Sequence, residues 1–268
     1  MLASFVISLR VERELALPGL AGEALHGLFF ETLRAYDPAF AEYLHALPGE
    51  KPFSLSGVLG EFPKREGRIH IPANARVEFR LGLMTDEVIE QTLAAFGALA
   101  MSKAEVRLGL AAARVEGIAF QPDTHPLVRS ATYPTLAQNA GSHARVTLQF
   151  LSPTSFRAGA VQEILPRPDL VFGSLFRAWQ TFSPVTFDAG LGEALPMVRV
   201  SDYDLRTELI HFGRYKVIGF KGRVSYTAPR EANRALQLAL NTLADFAFFA
   251  GVGYKTTMGL GQVKRWTP

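Results

Sequence analysis

Histidine is the side chain that gives and takes a proton near neutral pH, so its placement bears first on what this chain could catalyse. Two of the six histidines, His26 and His45, lie close together near the amino terminus. His26 falls in Gly22 to Tyr36, where Leu25, Leu28, Phe29, Thr32 and Tyr36 recur at helical spacing. At roughly 100° per residue from Leu25, His26 lies on the flank of that apolar stripe, at a domain edge rather than in the core. His45 closes a short helical piece, Ala39 to Ala46, just before Pro48-Gly49. A helix C-terminus favours the imidazolium, which suits an acid or a stabiliser of negative charge. Two histidines on adjacent segments that can converge make an acid–base pair, and the spacing leaves open which is which. Tyr36, Tyr43 and Lys51 are the nearby helpers. Tyr36 belongs to the stripe and is expected in the core, whereas Lys51 suits a phosphate contact. His70, His125, His143 and His211 read as strand or loop surface.

The composition narrows the chemistry. Cysteine is absent, which removes disulfides, thiolate nucleophiles and Cys-ligated zinc. No two histidines lie within five residues of each other, so no metal spacing is seen and no metal or cofactor is expected. The net charge is +3. From Leu205 onward, ten Lys/Arg face three Asp/Glu, while the rest of the chain is net negative, so a polyanion would meet the C-terminal quarter. Arg outnumbers Lys 21 to 7, and guanidinium forks suit phosphates. There is no apolar run of transmembrane length and no signal-peptide pattern, so a cytoplasmic protein without membrane contact is expected.

The elements that must position these groups follow a repeated order. Strands are expected at Ser4 to Val11, Arg68 to Ile71, Arg76 to Met84 and Val106 to Phe120, with a second helix at Asp86 to Met101 capped by Thr85. Further strands are expected at Arg145 to Leu151, Tyr203 to Leu209, Tyr215 to Tyr226 and Gly261 to Trp266. Helices are expected at Asp169 to Phe182 and Pro229 to Phe249. Strand, helix, strand, strand, helix, strand occurs twice. The expected fold is therefore α+β, with tandem ferredoxin-like (βαββαβ) domains at 1–125 and 143–268. Residues 126–142, rich in turn formers, read as the linker.

The most specific segment is Gly251-Val252-Gly253-Tyr254-Lys255-Thr256-Thr257-Met258-Gly259-Leu260-Gly261, between the last helix and the last strand. Such a loop can expose successive N–H groups as an anion nest, with Lys255 adding charge and Tyr254 a stacking face. It is not a P-loop, because the glycine directly before the lysine is missing.

That loop, closing a second ferredoxin-like unit, resembles the signature loop of the RAMP superfamily. Within it the chain resembles the Cas-six endoribonucleases, which cut CRISPR precursor transcripts at each repeat. Leu151-Ser152-Pro153-Thr154-Ser155-Phe156-Arg157 is similar to a Ser-Pro-Thr segment common in that family, and a histidine on the first helix fits as well. The resemblance spans nearly the whole chain. It implies metal-independent RNA cleavage, by attack of the ribose 2′-OH on the next phosphate, leaving a 2′,3′-cyclic phosphate and a 5′-OH. It also implies that His26 and His45 are catalytic and that repeat RNA is the partner. Homodimers are common in the family. The RNA-binding set is then Lys51, Arg157, Arg214, Lys216, Lys221, Arg223, Gly251, Gly253, Tyr254, Lys255, Thr256, Gly259 and Gly261. The hairpin cations would form a groove for an RNA stem. The alternative reading is a non-catalytic RAMP subunit holding guide RNA in a CRISPR effector complex; a small-molecule sensor fits the charge distribution less well.

Overall fold

The computed structural model describes residues 1–159, 161–188, 190–213, 215–230 and 234–267. The first half runs β1 (Leu2–Val11), β2 (Leu15–Pro18), α1 (Gly22–Tyr36), α2 (Pro38–Ala46), β3 (Phe53–Leu55), β4 (Lys64–Arg65), β5 (Arg68–Ile71), β6 (Arg76–Leu83), α3 (Asp86–Ser102), β7 (Glu105–Leu108) and β8 (Ala111–Ala119). Next come β9 (Arg129–Ala131) and α4 (Tyr133–Asn139). The second half runs β10 (Arg145–Thr154), β11 (Phe156–Ala158), β12 (Val161–Glu163), α5 (Pro168–Phe182), α6 (Leu191–Ala194), β13 (Arg199–Phe212), β14 (Tyr215–Thr227), α7 (Arg234–Ala250) and β15 (Val263–Arg265).

Both main sheets have the ferredoxin-like order. The first is β3-β6-β1-β8-β7, with β9 added beside β1, and the second is β13-β14-β10-β15. In each, the first and third strands of the βαββαβ unit sit at the centre and pair antiparallel, Phe5 opposite Leu81 in one and Leu148 opposite Val224 in the other. One assignment is corrected. The second strand of the first unit is Phe53–Leu55, not Arg68–Ile71. The latter pairs with Leu15–Pro18 in a separate three-stranded sheet, because the alternation of Ile69 and Ile71 packs there. Residues 129–139, expected as linker, also form regular structure. Arg129–Ala131 pairs with Leu2–Ser4, and Thr132 caps α4 by accepting from the Thr135 N–H at 3.1 Å.

Each half has its own apolar core. The core of the second half centres on Trp179, fully buried, with Tyr133, Phe187 and Phe246 at ring distances of 5.2, 5.1 and 5.2 Å. Its indole N–H donates to the Val185 carbonyl at 2.7 Å. Trp179→Ala is expected to cost roughly 3–5 kcal/mol through cavity creation. The check is a lowered unfolding midpoint in denaturant; a change within error would mean the ring is not holding this core.

The two halves meet at a buried cation. Arg80 on β6 is 3% exposed and lies 4.1 Å over the Phe248 ring. It donates to Ser4 Oγ at 2.7 Å, to Gln262 Oε1 at 2.6 Å and to the Phe248 carbonyl. Burial, with Arg129 nearby, pushes its pKa down to about 9. Phe248 and Gln262 flank the glycine-rich loop, so Arg80 fixes both ends of that loop to the first sheet.

Candidate active site

The glycine-rich loop leaves α7 and runs over the first half before entering β15. Gly251, Gly253, Gly259 and Gly261 all have positive φ, as does Lys255 at 58°. The reason for glycine is close packing as much as conformation. A Cβ on Gly261 would lie 2.1 Å from the Val252 carbonyl oxygen, and one on Gly253 2.4 Å from that of Ser155. The expected nest is closed at both ends of the loop. The N–H groups of Val252, Tyr254, Gly259 and Gly261 donate to the carbonyls of Gly261, Ser155, Leu55 and Pro153 at 2.8–3.1 Å. The Ser-Pro-Thr segment is thus the floor on which the loop rests. The chain order that brings Ser155 and Gly253 together needs a donor–acceptor match that only a bare backbone can reach.

The loop's central turn, Thr256–Met258, lies against α1. There His26 Nδ1 is 3.0 Å from the Thr257 carbonyl oxygen. A carbonyl only accepts, so Nδ1 carries the proton and Nε2 keeps the lone pair. The ring also packs 4.9 Å from Phe30 and 6.2 Å from Phe53. Burial lowers the His26 pKa below the ordinary imidazole value. The Thr257 hydrogen bond opposes this, while the charges of His45, Lys255 and Lys51 act in the same direction as burial. The result is a neutral imidazole in a known tautomer, the state a general base needs.

His45 packs edge-on against the same Phe30, with ring centroids 5.2 Å apart at 85°. Both imidazoles therefore touch one phenyl ring, and His45 is the exposed one. Lys51 takes the end of α2. Its ammonium donates to the carbonyls of Leu44 at 3.2 Å, His45 at 2.9 Å and Leu47. These are the orphan acceptors of a helix C-terminus. Lys51 thus fixes the backbone that carries His45, and its donors point at protein rather than outward.

Lys255 sits in a cage of rings, 4.9 Å from Phe212, 5.2 Å from Tyr215 and 5.4 Å from Tyr254, with Met258 Sδ at 3.2 Å. Arg157 lies 5.1 Å over the far partner of that cage, Tyr254. The β13–β14 hairpin therefore closes onto the loop beside His26. Thr256 belongs to the same turn. Of the other hairpin cations, Lys221 and Arg223 lie on one face of β14 but line different hollows. Lys221 lines a cavity of about 250 Å³ between the halves and pairs with Glu208 at 3.6 Å. Arg223 faces a separate hollow of about 600 Å³, pairs with Asp204 at 3.7 Å and lies 5.1 Å over Trp266. Lys216 is exposed near the hairpin tip, and Arg214 lies outside the described residues. Tyr36 is 51% exposed, not core, because it is the last residue of α1 where the stripe leaves the sheet. Among the described residues, no group of three metal-ligating side chains is found, and no helix is long and apolar enough to cross a membrane.

Comparison with known proteins decides the family. The CRISPR Cas6 N-terminal domain matches residues 1–138, and the CRISPR-associated endoribonuclease Cas6 domain matches residues 148–263. The chain belongs to the Cas6 family. A Cas6 product complex is 33% identical, with 99% of each chain covered and a TM-score of 0.78. A Cas6 from Thermus thermophilus is 28% identical over 99% of this chain and 98% of that one, at TM-score 0.73. The CRISPR-associated endoribonuclease Cas6 of Mycobacterium tuberculosis (strain CDC 1551 / Oshkosh) is 24% identical over 98% of this chain and 78% of its own length. The site residue that spacing did not find in this Cas6 family member is Thr257, which acts through its backbone carbonyl and so carries no side-chain signal.

Proposed function

We propose that this protein cuts CRISPR repeat RNA in precursor transcripts, with His26 as general base. The observation that carries this is the contact between His26 Nδ1 and the Thr257 carbonyl, which leaves Nε2 as the only acceptor on a neutral ring. The 2′-OH upstream of the cut gives its proton to Nε2, and the freed oxygen attacks the adjacent phosphorus. The P–O bond to the 5′-oxygen breaks, and His45 as imidazolium protonates that oxygen. The products are a 2′,3′-cyclic phosphate and a 5′-OH, with no metal ion required. Lys255, held beside His26, offsets charge on the phosphorane. Lys51 serves by holding the end of α2. Arg157, Tyr254 and Lys216 lead the RNA to the site, with Lys221 and Arg223 contacting it along one face of β14. The chain divides at 126–142 into two functional units, works in the cytoplasm, and pairs as a homodimer or joins an effector complex.

The test is incubation with a repeat RNA in excess EDTA. Site-specific cutting is expected. An uncut but tightly bound RNA would favour a guide-holding subunit, and normal cutting by both His26→Ala and His45→Ala would remove the assignment. The pH profile has a definite sign. A base works only when neutral, and burial lowers the His26 pKa, so the base form is lost, and the rate with it, as pH falls through that value, while the acid role of His45 sets a separate limb at higher pH. The acid limb of the single-turnover rate should therefore have its midpoint below about 6.5. A midpoint above that value, or no acid limb, contradicts the role.

A further inference from the structure

Three glycines far apart in sequence meet where the loop crosses α1: Gly22, Gly57 and Gly259. A Cβ on Gly259 would lie 3.1 Å from Gly57 N, 3.3 Å from Gly57 Cα and 3.4 Å from Gly22 Cα. A Cβ on Gly22 would lie 1.8 Å from the Met258 carbonyl oxygen, and one on Gly57 2.6 Å from Leu20 Cβ. At Gly22 and Gly57 backbone must move to admit a side chain, whereas at Gly259 the neighbours must give by a few tenths of an ångström. The loop is pinned from the other side as well. The Gly259 N–H donates to the Leu55 carbonyl at 3.0 Å, and Ser56 and Gly259 form a parallel bridge. So the segment 257–259 is wedged between the first turn of α1 and the end of β3.

Gly22 and His26 are four residues apart on α1 and therefore share a face. The peptide that touches Gly22 is the one directly after the carbonyl that touches His26. From this geometry we infer that Gly22 and Gly259 are positioning residues for His26: they let the second half's loop approach α1 closely enough for the Thr257 carbonyl to hold Nδ1 and aim Nε2 outward. The first half's base is then complete only while the second half's loop is docked. Gly22 acts through contact alone, since its backbone is ordinary helix, whereas Gly259 also needs positive φ, at 92°. This inference rests on the reading of His26 as base for its catalytic consequence, but not for its structural one.

The experiment uses the full chain. In wild type, imidazole ¹H–¹⁵N spectra should show the neutral His26 protonated on Nδ1. In Gly22→Ala the loop is displaced, so the proton should redistribute to Nε2 and the ring should titrate closer to a free histidine. The single-turnover rate at saturating protein should fall on the order of a hundredfold, as for an ångström-scale misplacement, beyond any loss in RNA affinity from moving Lys255 with the loop. Gly27→Ala, whose Cβ would meet nothing within 4 Å on the same helix, should leave rate and spectrum unchanged. A wild-type His26 protonated on Nε2 overturns the inference, and needs no variant that must fold. So does Gly22→Ala with wild-type rate and tautomer. If His26→Ala cuts normally while Gly22→Ala still moves the proton, the catalytic reading of His26 falls and the positioning contact stands.

Discussion

His26→Ala is expected to slow RNA cleavage by roughly 10²–10⁴-fold while leaving RNA affinity unchanged. The expectation comes from where the ring is held. His26 is half-buried, its Nδ1 is tied to the Thr257 carbonyl, and only Nε2 is left to accept a proton. Removing the imidazole removes the base and little charge, because burial favours the neutral ring. Binding, carried by cations on other elements, is untouched. His45→Ala is expected to behave alike but less severely, since water can protonate an exposed leaving oxygen more readily than it can replace an oriented base. The measurement is a single-turnover time course at saturating protein with a separate binding titration. A loss in affinity equal to the loss in rate would make His26 a binding residue instead.

RNA affinity is expected to fall by roughly 10²–10³-fold between roughly 50 and 200 mM salt, as about five phosphate contacts would give. Five is a count from the structure rather than from composition. Arg157, Lys216 and Lys255 make no ion pair among the described residues. Lys221 and Arg223 do, but with partners 3.6 and 3.7 Å away that contribute little at the surface and yield readily to phosphate. Lys51 is excluded because its donors hold three carbonyls. Lys255→Gln should lower the salt slope by about one. A flat salt response would mean that shape and stacking, not phosphates, carry the affinity.

Much of the fold was legible because the apolar spacing and the stops agreed. Gly22–Tyr36 follows from the stripe ended by Asp37-Pro38, and Asp86–Ser102 from Thr85, whose Oγ1 accepts from the Val88 N–H at 3.4 Å. The second strand of the first unit was not legible. Phe53–Leu55 is three residues long, all buried, and preceded by Pro52, so it shows no alternation. Arg68–Ile71 alternates clearly, yet pairs outside the main sheet, because alternation reports a half-buried face and not which sheet owns it. In the site, His26 could be placed at the edge of its helix from the stripe alone. Its partner could not. Thr257 lies 231 residues away and contributes a main-chain oxygen. The loop glycines were conspicuous, but their reason was misread. They serve close approach of backbone to backbone at Gly22, Ser155 and Val252 more than the display of N–H groups to an anion.

The proposed cleavage requires the 2′-OH as nucleophile, deprotonated by a neutral imidazole. A repeat RNA with a single 2′-deoxy nucleotide immediately upstream of the mapped cut, tested in EDTA, addresses this most directly. It should bind as tightly as the all-ribose RNA and remain whole, while the all-ribose RNA yields a 2′,3′-cyclic phosphate end. Cutting of the deoxy substrate at the same bond and the same rate would contradict the account, because some other nucleophile would then be attacking the phosphate.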